Sequence, residues 1–129
     1  MISRILAAMI LLTALATAED KVGPGTYKGT WAGGGSGDFQ LTLAADGKGG
    51  FTAQVMFTMG EEKVPCRTTS LKVEGDSLKV VYQFDLAGNK LQSAVEGKLK
   101  GKTIEGTYRT TMPGGDEAVD QGTWKATAP

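Results

Sequence analysis

Phe51-Thr52-Ala53-Gln54-Val55-Met56-Phe57-Thr58-Met59 alternates apolar and polar side chains almost without exception. Phe51, Ala53, Val55, Phe57 and Met59 fall on one face of an extended chain, and Thr52, Gln54 and Thr58 on the other, joined there by Met56. A two-residue period of this kind marks a half-buried strand. Working outward, Leu78, Val80, Tyr82, Phe84 and Leu86 repeat the pattern against Ser77, Lys79, Val81, Gln83 and Asp85. Phe39-Leu41-Leu43, Leu71-Val73, Leu91-Val95-Leu99 and Ile104-Tyr108-Met112 extend it. Beyond residue 18 no stretch carries a 3.6-residue period, so the fold class is all-β.

Turn chemistry assigns the pairings. Gly101-Lys102 suits a two-residue type II′ loop, with glycine in the first position. That register pairs Leu99 with Ile104, Gly97 with Gly106 and Val95 with Tyr108, and it sets Lys98 opposite Glu105 on the outer face. Gly75-Asp76 forms a second such loop, pairing Val73 with Leu78 and setting Lys72 against Lys79. Asp46-Gly47, Ala87-Gly88-Asn89 and Pro113-Gly114-Gly115 mark longer turns. Eight strands follow, at roughly 25–32, 38–45, 50–59, 63–74, 77–86, 90–100, 103–112 and 119–127. Every connection is short, which predicts a single eight-stranded antiparallel up-and-down meander β-barrel, with a two-sheet β-sandwich as the rival. Closure also removes exposed strand edges. Lys28, Lys79, Glu96, Lys98, Glu105 and Arg109 lie on the face opposite the aromatic one. This is a wet exterior around a dry core, the reverse of an outer-membrane barrel.

Residues 1–18 read as an address. Arg4 supplies a positive charge, Ile5–Leu15 a short apolar run, and Ala16-Thr17-Ala18 the small residues of a cleavage site. The run is about half of what a bilayer crossing needs. The expected organisation is a signal peptide at 1–18 and one β-barrel domain at 19–129, with no transmembrane segment in the mature chain. The protein would be exported, to the periplasm or the extracellular space.

Composition narrows the chemistry. The chain carries 14 Lys+Arg, 14 Asp+Glu, no His and one Cys among 129 residues. Balanced charge argues against nucleic acid as a partner. Without histidine there is no Ser-His or Cys-His nucleophile pair, and a single cysteine excludes a disulfide framework or a multi-Cys metal site. Cys66 shares a face with Val64 and reads as a small buried apolar residue, with a free reactive thiol or an intermolecular disulfide as the alternatives. Met56 and Met59 differ in parity and so cannot join Cys66 in a soft-metal site. Glu61-Glu62 and Asp116-Glu117 sit in turns as solvated charge. Gly33-Gly34-Gly35 and Gly47-Lys48-Gly49-Gly50 precede no helix, so they read as mobile hairpin loops and not as phosphate cradles. No enzyme, metal site or cofactor is expected.

One tripeptide recurs. Gly25-Thr26-Tyr27, Gly29-Thr30-Trp31, Gly106-Thr107-Tyr108 and Gly122-Thr123-Trp124 place a glycine and an aromatic ring on the same face. The glycine leaves a gap into which a neighbouring strand's ring can lean. On closure the first and last strands adjoin, so Trp31 and Trp124 would line one side of the interior. Gly29-Thr30-Trp31 resembles the Gly-x-Trp signature of calycins, the lipocalin and avidin-like barrels. That resemblance implies a basic residue packed across the Trp, for which Lys125 and Arg109 are the candidates. The chain is also similar to secreted bacterial Gly-x-Trp meander modules in Gly29–Gly33, Val64-Pro65, Thr103–Tyr108 and the closing Gly-Thr-Trp. Those modules imply a fold and a compartment but no chemistry.

Two functions remain open. Tyr27, Trp31, Tyr82, Tyr108 and Trp124 share one interior, with small residues at Gly29, Ser93, Gly97, Gly106 and Gly122. They would form the wall of a site for a small apolar or aromatic ligand. Alternatively the rings fill the barrel completely, and the protein acts through its surface as an accessory module, with an envelope protein as partner.

Overall fold

The computed structural model describes residues 21–129; the signal peptide read at 1–18 lies outside the described residues. Among the described residues nine antiparallel strands form one sheet that curls into a nearly closed barrel. They are β1 (Gly25–Ala32), β2 (Ser36–Ala45), β3 (Phe51–Met59), β4 (Glu62–Pro65), β5 (Arg67–Glu74), β6 (Ser77–Leu86), β7 (Asn89–Lys100), β8 (Thr103–Thr111) and β9 (Ala118–Thr127). The sheet order is β4-β3-β2-β1-β9-β8-β7-β6-β5, so the first and last long strands adjoin as expected. Among the described residues no second sheet faces it.

The strand count corrects the expected eight. Residues 63–74 do not form one strand, because the chain changes partners at Cys66. Before it, β4 pairs with β3, Val64 lying opposite Phe57. After it, β5 pairs with β6, Thr68 lying opposite Tyr82. Side-chain parity gives the reason. Val64, Cys66 and Thr68 are even-numbered, whereas the core-facing Leu71 and Val73 are odd. A bulge between Thr68 and Ser70 supplies the extra residue that reconciles them. Pro65, which has no N–H to donate, sits at the end of its ladder, where that loss matters least. The seam between β3–β4 and β5–β6 is therefore spanned by the chain itself rather than by a ladder.

The hairpin registers agree with turn chemistry. Leu99 pairs with Ile104, Gly97 with Gly106, Val95 with Tyr108 and Lys98 with Glu105; Val73 pairs with Leu78 and Lys72 with Lys79. The charges use a different geometry from the expected one. The ion pairs run from Lys79 to Glu96 at 3.4 Å and from Lys72 to Glu74 at 3.3 Å, all four side chains being largely exposed.

Glycine placement explains how the large rings fit. Trp124 lies opposite Gly106, and its ring reaches over Gly97, where a Cβ would come within 2.7 Å of it. Trp31 lies opposite Gly37, whose Cβ would collide with the indole nitrogen and with the Thr58 carbonyl. Each indole thus crosses a neighbouring glycine and donates to a backbone carbonyl beyond it: Trp31 Nε1 to Thr58 O and Trp124 Nε1 to Glu96 O, both at 3.0 Å. The glycines that the indoles cross, Gly37 and Gly97, stand outside the recurrent Gly-Thr-aromatic tripeptide; its own Gly29, Gly106 and Gly122 instead let neighbouring backbones approach, since a Cβ there would collide with Lys125 O, Glu96 O and Ala32 O.

The two ends of the barrel differ. One end, the base, holds the turns at 75–76 and 101–102 and the longer loop at 46–50. Leu41, Leu43, Val80, Val95 and Ile104 pack the interior above it, each at most 2% exposed. The segment before β1 crosses the base. Val22 is buried, its N–H donates to Gly75 O at 2.8 Å, and the Tyr27 hydroxyl donates to Gly23 O at 2.9 Å. The other end, the mouth, holds the loops at 33–35, 60–61, 87–88 and 112–117.

Candidate functional site

The interior is not filled at the mouth. A cavity of about 320 Å³ lies there, walled by seven aromatic rings, by aliphatic side chains and by a few polar groups. This volume falls at the small end of ligand-binding pockets. Trp31 is its centrepiece. It stands edge-on to Phe57 (ring centroids 5.9 Å apart, planes at 86°) and to Tyr108 (6.0 Å, 87°), and Phe57 stands edge-on to Phe84 at 5.0 Å. Such edge-to-face contacts hold rings in fixed orientations. Phe39 tilts against Trp124 at 5.1 Å on the base side.

Four of the five expected ligand-wall residues, Trp31, Tyr82, Tyr108 and Trp124, line this cavity. Tyr27 does not. It faces the interior, but it lies opposite Leu41 towards the base and spends its hydroxyl on Gly23. Alternation gives a residue's face and not its height along the barrel axis. The basic residue that the calycin resemblance implies is absent from this position. Lys125 and Arg109 both lie exposed on the outer face, and the Arg109 guanidinium donates to the Asp116 carbonyl.

Polar groups converge on one side of the cavity. Ser93 and Thr110, both buried, share a hydrogen bond of 2.6 Å across β7–β8. Burial, with the nearby Cys66 thiol, holds the Tyr82 hydroxyl well above its ordinary ionisation range, while hydrogen bonding with Ser93 pulls the other way. Asp120 completes the side. It precedes Gly122, Trp124 and Ala126 in steps of two and so faces inward, opposite Thr110. Its Oδ2 accepts from the Tyr108 hydroxyl at 2.8 Å and its Oδ1 from the Gly34 N–H at 2.8 Å. Burial first, and the Asp120 carboxylate second, push the Tyr108 hydroxyl far above its usual range, so it remains a neutral donor.

The Gly33-Gly34-Gly35 loop, expected to be free, is docked on the site. Gly33 leaves room for the Tyr108 hydroxyl, Gly34 holds Asp120, and Gly35 lies against the Trp31 ring. The rim is apolar. Met59, Met112 and Val119 are the large hydrophobic side chains left exposed among the described residues, at 37%, 47% and 56%, and all three stand at this end. Reading the sequence missed Asp120, Ser93's partner Thr110 and the three Phe rings. Parity signalled Asp120, since it continues the face of Gly122 and Trp124.

Cys66 lies half-buried at the seam, its Sγ 3.5 Å from Val64 O, and burial pushes its thiol up to about 12. A thiol held protonated is a poor nucleophile. Among the described residues no group of His, Cys, Asp or Glu is arranged to hold a metal ion, and no helix is long and apolar enough to cross a membrane.

Comparison with known proteins returns no match to this chain, whether by family model, by curated protein or by solved structure.

Proposed function

We propose that this protein is an exported, non-enzymatic binding barrel that takes one small apolar or aromatic molecule through its mouth, in the manner of the calycin-like barrels its first strand resembles. One observation carries the reading. The space at the mouth is lined by rings locked edge to edge and ends in an exposed apolar rim, while the base is packed and plugged. An eight- or nine-stranded barrel has enough side chains to fill itself. Here Ser93, Thr110 and the glycines occupy positions where larger side chains would close the gap. The charged, apolar and small segments of residues 1–18 support export, and the secreted protein is expected to begin at Glu19 on N-terminal sequencing.

The binding test uses the neutral dye N-phenyl-1-naphthylamine. Wild-type protein is expected to bind it saturably at one site, with quenching of the indoles. Ser93→Phe, which puts a ring into the cavity, is expected to abolish that signal in a protein that still folds. No saturable response in the wild type, to this dye or to octanol, would overturn the proposal.

A further inference from the structure

The geometry points to a cationic apolar molecule, an amine or ammonium group carried on an aliphatic or aromatic body, as the ligand this cavity selects; the inference rests on the cavity being a binding site, as proposed above. The wall provides the first argument. Asp120 is the one charged side chain lining the cavity among the described residues, and no Lys or Arg joins it there. Its two oxygens each hold one donor, from Tyr108 and from Gly34. A carboxylate oxygen offers two acceptor positions, so an acceptor on each oxygen is left for an incoming N–H.

The rings provide the second argument. Trp31, Phe57 and Tyr108 present π faces or edges to the same space, and an ammonium is attracted to an aromatic face. A carboxylate is not. A fatty acid seated here would place its anion near Asp120 in a low-dielectric enclosure with no cation to offset it, whereas an amine would meet an opposite charge.

Charge across the whole barrel provides the third. The turns at the mouth and the strand ends beside them carry Glu61, Glu62, Asp85, Asp116 and Glu117 against Lys63, Lys90 and Arg109, an acidic excess. The base and the outer wall near it are mixed, with Lys48, Lys72, Lys98, Lys100 and Lys102 set against Asp46, Glu74, Asp76 and Glu105. An acidic rim around a low-dielectric opening raises the local concentration of cations and turns anions away.

Three ligands with one tail separate the possibilities: octylamine, octanol and octanoate, titrated at pH 7 as competitors of the neutral dye. Octylamine is expected to bind at least about tenfold more tightly than octanoate, a difference of ~1.4 kcal/mol, with octanol between them. Asp120→Asn is expected to bring octylamine down to the octanol value. Tyr108→Phe, which keeps the carboxylate, should preserve the order. Equal affinities, or octanoate bound best, would overturn the charge preference while leaving the binding site in place. Failure of the dye and of all three competitors would overturn the binding site itself. An amine preference unchanged in folded Asp120→Asn would remove the role given to Asp120. If that variant does not fold, the wild type decides through salt. Octylamine should remain bound more tightly than octanol at low and at high salt, because a charge pair inside a low-dielectric enclosure is screened little, and an amine preference that vanishes with added salt would remove the role given to Asp120.

Discussion

The base and the mouth of this barrel are built from the same strands, with the same alternation, and differ in what fills the inward positions. At the base, Leu41, Leu43, Val80, Leu99 and Ile104 meet one another and Val22 covers them. At the mouth, the inward positions offer Ser93 on β7, Thr110 on β8 and Asp120 on β9 beside large rings. Ring size alone therefore does not fill a barrel. Rings held edge to edge leave a gap that branched aliphatic side chains would have closed, and small or polar neighbours keep it open. The base carries the stability, and the mouth carries the site.

Removing volume from each end breaks or sharpens this contrast. Leu41→Ala at the base is expected to cost ~2–5 kcal/mol, since no neighbour can collapse into the gap. Leu91→Ala at the mouth, where the side chain borders space already empty, should cost under about 1.5 kcal/mol, little beyond the lost transfer term. Urea unfolding of the two variants measures both. Equal costs would mean that the mouth is packed as tightly as the base.

An effect between those two is expected at Ser93. Ser93→Ala leaves the Thr110 hydroxyl buried without its 2.6 Å partner, at about 1–3 kcal/mol. Combined with Thr110→Val, most of that loss should return, because the orphaned group is gone. Additive losses in the double-mutant cycle would show that the pair is hydrated instead of sealed.

The seam between the halves is probed by pH. With its thiol pushed from 9.0 to about 12, folded Cys66 keeps a proton that the unfolded chain releases. Stability should be unaffected below pH 9 and fall as pH rises from 9 towards 12. Tyr82 and Tyr108 push in the same direction at the upper end. Cys66→Ala should flatten the early part of that decline in denaturation midpoints, leaving neutral pH nearly unchanged. The same protonation predicts negligible alkylation of the folded thiol by iodoacetamide at pH 8, with rapid reaction in urea.

The sequence announced the strands because period-2 alternation and two-residue turns are local properties, and each hairpin register needs only its own few residues. What it concealed depends on distance. Tyr27 showed its face but not its depth, because parity repeats along the whole strand. The break at Cys66 was present as a one-residue conflict between Val64-Cys66 and Leu71-Val73, but a continuous apolar pattern masks a bulge. Asp120 was overshadowed by Asp116 and Glu117, whose turn charges drew the ordinary explanation, although its own parity placed it inside. Val22 carries no periodic signal, so its role as a plug could come only from the tertiary fold.

The meeting of Trp31 with Trp124 has a kinetic consequence. All the other ladders join strands adjacent in the chain, and such hairpins form within microseconds. The β1–β9 ladder alone joins the two ends of the domain, through five residue pairs centred near these indoles, across about ninety residues of intervening chain. Its loop-closure entropy must be overcome before it gains any contact. On these terms two ribbons, β1–β4 and β5–β9, are expected to form first and to become a container when the termini zip together, an event that both native fluorophores would witness from within.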